Sequence, residues 1–168
     1  HNIIGPRQKY DDPFRNVVSI MINRMLQGKA PIIYGDGEQT RCFSYIDDCL
    51  SCLIPMLDQK NVNKETINIG PDEEFVTINK IAEICSNITG VNLSPIYKKE
   101  RPKEVKHATC SADKARSLLN YKTKVSLNDG IKKTFEYIKQ RGIKPFDYNI
   151  NIEIENELTP SAWKNKEI

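Results

Sequence analysis

The stretch Ile32–Asp48, IIYGDGEQTRCFSYIDD, decides how this chain is read. PIIYG reads as a short strand. GDGE reads as a turn built from residues that tolerate positive φ, and RCFSY reads as a second strand. Asp47 and Asp48 then open a helix, where carboxylates offset the exposed amides and the positive helix end. Arg41 follows the tight turn, so a rigid backbone can aim its guanidinium. The stretch has the form of an anion-binding corner.

Outward from this corner, short strands alternate with helices. Upstream, HNIIGPRQ (1–8) is a strand end followed by a Gly-Pro turn. DDPFRNVVSIMINRMLQG is a helix, with Asp11 or Asp12 as cap, Pro13 in the first turn and Gly28 at the close. Its apolar residues Phe14, Val17, Val18, Met21, Ile22, Met25 and Leu26 recur at helical spacing. Downstream, the helix begun at Asp47 runs to about Leu57 and is kinked or shortened by Pro55. TINIG (66–70) is a buried strand. Thr77 caps a helix that Gly90 ends, and LSPIY is another strand. KKERPKEVKH is a charged loop, Ser111 begins a short helix, and SLND (126–129) is a capping box opening a last helix closed by Gly142. The tail, 143–168, alternates apolar and polar residues at INIEIEN and reads as an extended strand or strap. The pattern predicts an α/β chain with few short strands and about five helices.

The bulk composition narrows the possible functions. At 168 residues the chain holds one domain with a core and is too short for two ordinary ones. Its net charge of +3, with acids and bases interleaved, argues for neither nucleic acid nor a membrane surface. Glu100 and Glu104 dilute the basic loop further. No apolar run approaches the roughly 20 residues of a membrane span, and no leader opens the chain. Five cysteines, an odd number, make no disulfide framework, which favours a reducing, cytoplasmic setting. Cys49 and Cys52, in CLSC, read as two small apolar residues on a helix. A structural zinc site would want a second such pair, and no metal site is expected.

No autonomous catalytic set is visible. Only His1 and His107 are available as imidazoles, no glycine-flanked nucleophilic serine occurs, and neither a P-loop nor G-x-G-x-x-G follows a strand. Anion binding is better supported. Arg41 and Arg101 sit in separate loops and could clamp a diphosphate through paired hydrogen bonds. Tyr34 could lie flat against a base. The plainer alternative pairs Arg41 with a nearby aspartate and leaves Arg101 in water.

Four segments, in order, resemble one family. HNIIGPRQ is similar to N-[VI]-[YI]-G-P-R-Q. The block from Asn16 to Asp48 resembles a helix followed by P-x-x-x-[YF]-G-[DN]-G-x-Q-x-R-D-[FY]-x-[YH]-V-x-D. INIGPDEEFVTINKIAEI resembles N-[IV]-G-x-G…[ST]-[IVL], and ERPKEVKHATCSADKARSLLNY resembles R-x-G-[DE]…D-x-[ST]-K-[AI]…L-G-[WYF]. These are motifs of the extended short-chain dehydrogenases that act on nucleotide sugars, of the UDP-glucose 4-epimerase type. The likeness runs over residues 1–142, with 143–168 as a tail.

The resemblance implies the substrate-binding C-terminal half of an NAD-dependent, Rossmann-type epimerase, dehydratase or decarboxylase. Such enzymes work through a 4-keto sugar. The family's Tyr-x-x-x-Lys is absent, so catalytic residues are expected upstream and none here. NAD is expected in the intact enzyme and not on this portion alone. The implied partners are a nucleoside-diphosphate sugar, most simply a UDP-sugar, the protein's own N-terminal half and a second copy in a homodimer. By motif position, Asn2 faces the diphosphate, Val17 and Val18 line the nucleotide, Ile32 and Tyr34 hold the base, Arg41 and Arg101 grip the diphosphate, and Glu104 lies near the ribose. Three departures stand out: Cys42 replaces an aspartate, Lys103 replaces a glycine, and Ile4 stands where many members have tyrosine. The first leaves the support of Arg41 open, and the second the aim of Glu104. A non-catalytic nucleotide-sugar binder or interaction module is the alternative. Helix and strand surfaces that would pack on the other half, at Cys49, Leu50, Leu53 and Ile69, are expected to be exposed and to favour association.

Overall fold

The computed structural model describes residues 2–148, 152–153 and 155–168. Three helices form its centre. α1 (Val17–Leu26), α3 (Ile78–Thr89) and α5 (Leu127–Arg141) pack together around one apolar cluster. In α1 the residues Val18, Met21, Ile22 and Met25 are at most 1% exposed. Their spacing of three and four places them on one stripe, which the other two helices cover. Removing one of them, as in Met21→Ala, would cost roughly 2–5 kcal/mol, because a core side chain leaves a cavity as well as lost burial.

Strands sit around this trio in three separate pairs. β1 (Asn2–Ile4) runs parallel to β4 (Phe43–Tyr45), and β2 (Ile32–Tyr34) runs parallel to β6 (Ile96–Lys98). β3 (Thr40–Arg41) lies antiparallel to β5 (Val76–Thr77). Gly130 on α5 lets that helix approach the first pair, since a Cβ there would meet Ile4 Cδ1 at 3.1 Å. α2 (Ile46–Leu53) follows β4, and a 3-10 turn at Pro55–Leu57 ends it, as the proline requires. α4 (Asp113–Leu119) covers a second, smaller apolar cluster with Cys52, Val62 and Tyr121. α6 (Ser161–Lys164) is one short turn in the tail. The described residues thus hold the expected five helices and this sixth. None is long and apolar enough to cross a membrane.

Several expected caps are present. Thr77 accepts the Lys80 amide, Ser126 accepts the Asp129 amide, and Gly90 takes φ 73° after α3. Three expectations are corrected. The helix after Pro13 begins only at Val17, because Asp12 spends its carboxylate on a turn of its own. It accepts from the Phe14 amide and from Arg15 Nε, both at 2.9 Å, and Asn16 is the cap. The expected single strand RCFSY is split at Cys42, where the chain leaves β5 and joins β1. TINIG forms no strand, since no described strand runs beside it; Ile67 and Ile69 pack half-buried on the second cluster instead. The expected extended tail INIEIEN (150–156) falls partly on residues 150, 151 and 154, which lie outside the described residues.

Two buried polar side chains fasten the outer segments. Asp48, 2% exposed, accepts the amides of Lys124 and Val125 at 3.2 Å each. Asn23, fully buried on α1, donates to the carbonyls of Tyr10 and Lys144 and accepts the Lys144 amide. It therefore pins the start of the tail to the central helix.

Candidate functional site

A cleft of about 210 Å³ opens beside the N-terminus of α1. Its walls carry Asn2, Val17, Ile32, Tyr34, Arg41, Arg101 and Glu104, seven of the eight residues singled out by sequence. Distant segments meet because the start of β1, strand β2, the end of β3 and the start of α1 share this edge. Val18 is the exception: it is fully buried in the helical core and does not line the cleft, being turned about 100° around α1 from Val17.

The polar centre is a three-residue cluster. Arg101 donates from Nε and Nη2 to both oxygens of Glu104, at 3.1 and 2.8 Å. Arg41 reaches the same carboxylate with Nη2 at 3.3 Å. Its Nη1 donates to the main-chain oxygen of Thr40 at 2.8 Å and more weakly to that of Lys106 at 3.4 Å. The guanidinium is thus held by backbone and by Glu104, which answers how Arg41 is supported with Cys42 in place of an aspartate. Cys42 is fully buried, and that burial raises its thiol to about 11, leaving it neutral. Its carbonyl accepts from Asn2 Nδ2 at 3.2 Å, which orients Asn2 at the cleft edge. Lys103 adopts φ 55°, a left-handed conformation where the resembling motif has glycine. Glu104, next along the chain, is aimed at the arginines.

Around this cluster the cleft is apolar on one side and electropositive on the other. Asn16 caps α1 through the Val18 amide, and no acidic residue occupies the first turn. The helix end therefore adds its partial positive charge to the arginines. Tyr34 is half-buried, with the Arg101 guanidinium 4.9 Å from its ring centroid. Its hydroxyl is buried without a hydrogen-bond partner, and burial pushes its pKa up to about 12. Tyr34 therefore stays protonated at neutral pH and is no proton acceptor. Among the described residues no group of three or more His, Cys, Asp or Glu could hold a metal. Cys49 and Cys52 are both buried in α2.

Nine further residues line the cleft, among them Gln39, Phe14, Trp163 and Ile168. Gln39 is 7% exposed, lies in the cleft wall and donates to the Tyr34 carbonyl at 2.8 Å. It occupies the glutamine of the G-x-Q-x-R pattern, so its signal was on view. Phe14 was assigned to a helix that begins later. Trp163 and Ile168 come from the tail, where the spacing gave no indication of a fold back onto the cleft.

The glycine turn after β2 leads into β3 and not into a helix, so it offers no run of helix-end amides. The space beside Gly37 is filled by the Asn79 side chain, with which any Cβ at that position would collide.

The family model described as GDP-mannose 4,6 dehydratase matches residues 1–134. The chain is 32% identical over 145 residues to a UDP-N-acetyl-alpha-D-glucosaminuronate decarboxylase from Bacillus cytotoxicus, a match spanning 83% of this chain and 44% of that protein. It is 30% identical to UDP-glucuronic acid decarboxylase 1 of Xenopus tropicalis, over 83% of this chain and 32% of that one. The structure resembles UDP-glucose 4-epimerase from Thermotoga maritima, solved with UDP-glucose. The TM-score is 0.77 and the identity 34%, with 83% of this chain and 44% of the other covered. It also resembles UDP-glucuronic acid 4-epimerase from Bacillus cereus, solved with UDP-glucuronic acid and NAD, at TM-score 0.76 and 37% identity over 84% of this chain and 44% of that one. The chain spans less than half the length of these relatives. With its α/β architecture, its four ordered motifs and this family match, the chain belongs to the GDP-mannose 4,6-dehydratase family of extended short-chain dehydrogenases.

Proposed function

We propose that the cleft binds the nucleotide part of a nucleoside-diphosphate sugar, with UDP as the nucleotide, and that the chain is the substrate-gripping portion of an NAD-dependent epimerase, dehydratase or decarboxylase. The observation that carries this is the pair of arginines, from two loops, converging on one carboxylate beside a helix N-terminus. A diphosphate presents the same paired oxygens to the same donors. Two guanidiniums can then hold it by forked, charge-assisted hydrogen bonds. The relatives' names, all of UDP-sugars, support the choice of nucleotide.

In this reading the chain spends binding energy on the part of the substrate that does not react, and so positions the sugar. The hydride chemistry of NAD would come from a separate cofactor half, a reading supported by the glycine turn after β2 leading into a strand and not into a helix. That half is the proposed first partner, and a second copy of the chain the other.

Calorimetric titration with UDP-glucose, UDP and NAD is the direct test. UDP-glucose and UDP should bind and NAD should not. Arg41→Ala and Arg101→Ala should each weaken UDP about 10- to 150-fold, the equivalent of roughly 1.5–3 kcal/mol for a charge-assisted hydrogen bond. Equal UDP affinity in both variants would remove the basis of the reading.

A second reading, a binder without catalytic function, is favoured by the protonated Tyr34 and by Glu104, the cleft's carboxylate, being engaged by both arginines. Adding a cofactor half from a relative separates the two: recovered turnover supports the first, tight UDP-sugar binding with none supports the second.

A further inference from the structure

The aromatic face nearest the diphosphate donors is not free. Arg101 lies over the Tyr34 ring, and the Tyr34 hydroxyl is sealed from water. Tail residues close over this side: Glu157, Thr159 and Ala162 share a depression with Tyr34 and Arg101. Resting on the nucleotide reading above, we propose that Trp163, carried back to the cleft by the tail, supplies the stacking face for the nucleobase in place of Tyr34.

Trp163 lines the same cleft as Arg41 and Arg101 and is only half-buried. It meets Phe14 edge to face, with ring centroids 5.4 Å apart and planes at 88°. That perpendicular contact holds the indole without a parallel stack against it. The support is built. Ala162 beside it is 2% exposed, Glu167 pairs with Lys98 of β6 at 3.5 Å, and Tyr148 Oη both donates to the Ile168 main-chain oxygen and accepts its amide. Asn23 anchors the near end at Lys144. A platform held at both ends loses little freedom when a base arrives. The match to the family model ends at residue 134, so this wall comes from beyond the matched part of the chain.

Trp163 is the sole tryptophan, so its emission reports on it alone. Titration of the 168-residue chain with UDP should quench that emission saturably, at the affinity seen by calorimetry. Inorganic pyrophosphate, which has no base, should bind without the same quench. Trp163→Ala should weaken UDP about 5- to 150-fold, from ~1–3 kcal/mol of stacking, and leave pyrophosphate affinity unchanged. Trp163→Phe should restore most of the UDP affinity, which a merely structural role in the tail would not require. Calorimetric UDP binding with unmoved emission and an unaffected Trp163→Ala variant would overturn the proposal while leaving the nucleotide reading in place. No UDP binding by the unmodified chain would overturn both.

Discussion

Glu104 and Lys103 show how two neighbouring residues share one task. Lys103 holds a left-handed backbone that costs a side chain of its kind about 1–2 kcal/mol. In return, Glu104 points back at Arg101 and Arg41. Lys103→Gly should relieve that cost and raise the melting temperature by about 2–4 °C per kcal/mol recovered, with UDP affinity unchanged. A lower melting temperature in calorimetric scans would contradict the assignment. Tyr34 gives a pH prediction. Its hydroxyl titrates near 10 when unfolded and about 12 when buried, so the native state holds the proton more tightly. The stability this contributes is fully present below pH 10 and is lost as pH rises through 12. Tyr34→Phe lacks the titrating group, so urea unfolding should show it gaining on the parent across that window. A constant difference would refute the sign.

At the scale of elements, the tail is the part least expected, and it is tied at Lys144 and again at Ile168. Asn23→Ala would strand the Lys144 amide and the Tyr10 carbonyl, while the Lys144 carbonyl keeps the Gln27 side chain, at about 1–3 kcal/mol per buried group left unpaired. The expected outcome is a lower melting temperature together with protease cutting between residues 144 and 160, read by mass spectrometry. Cutting at the parent rate would disprove the anchor. The same elements show what could be read in the sequence. Thr77, Ser126 and Gly90 announced their helix ends because caps and left-handed stops are local chemistry. The α1 start was misplaced because Asp12 and Asn16 are both good caps, and only the Asp12–Arg15 pairing decides between them. The break at Cys42 depends on which strand lies alongside, and that is set by residues 35 or more positions away. Arg41, Arg101 and Glu104 were identifiable from the loop chemistry and motif positions. Their convergence was not, because only the fold carries them together.

For the molecule as a whole, the three helices are well covered and α2 is not. Cys49 is buried and Ile69 half-buried, contrary to the expectation that both would be exposed, because α2 turns the cysteine inward and the second cluster takes the isoleucine. Leu50, Leu53, Ile54 and Leu57 are 39%, 48%, 60% and 82% exposed, and Ile3 on the outer edge of β1 is 41% exposed. An apolar strip of this kind favours association. We expect sedimentation velocity to show concentration-dependent self-association, and Leu53→Glu with Leu57→Glu to shift the chain to monomer. A monomer at every concentration in the parent would count against that surface. Adding the cofactor half should compete for the same strip.

The carboxylate between the two arginines also bears on ionic strength. A bare pair of guanidiniums would collect counter-ions from solution and release them when a diphosphate arrives, making affinity fall steeply with salt. Here Glu104 is a counter-ion built into the chain. Ligand entry is therefore an exchange of one anion for another. The affinity should vary with added salt by less than two free cations would give, and the slope should steepen once Glu104 is replaced by glutamine.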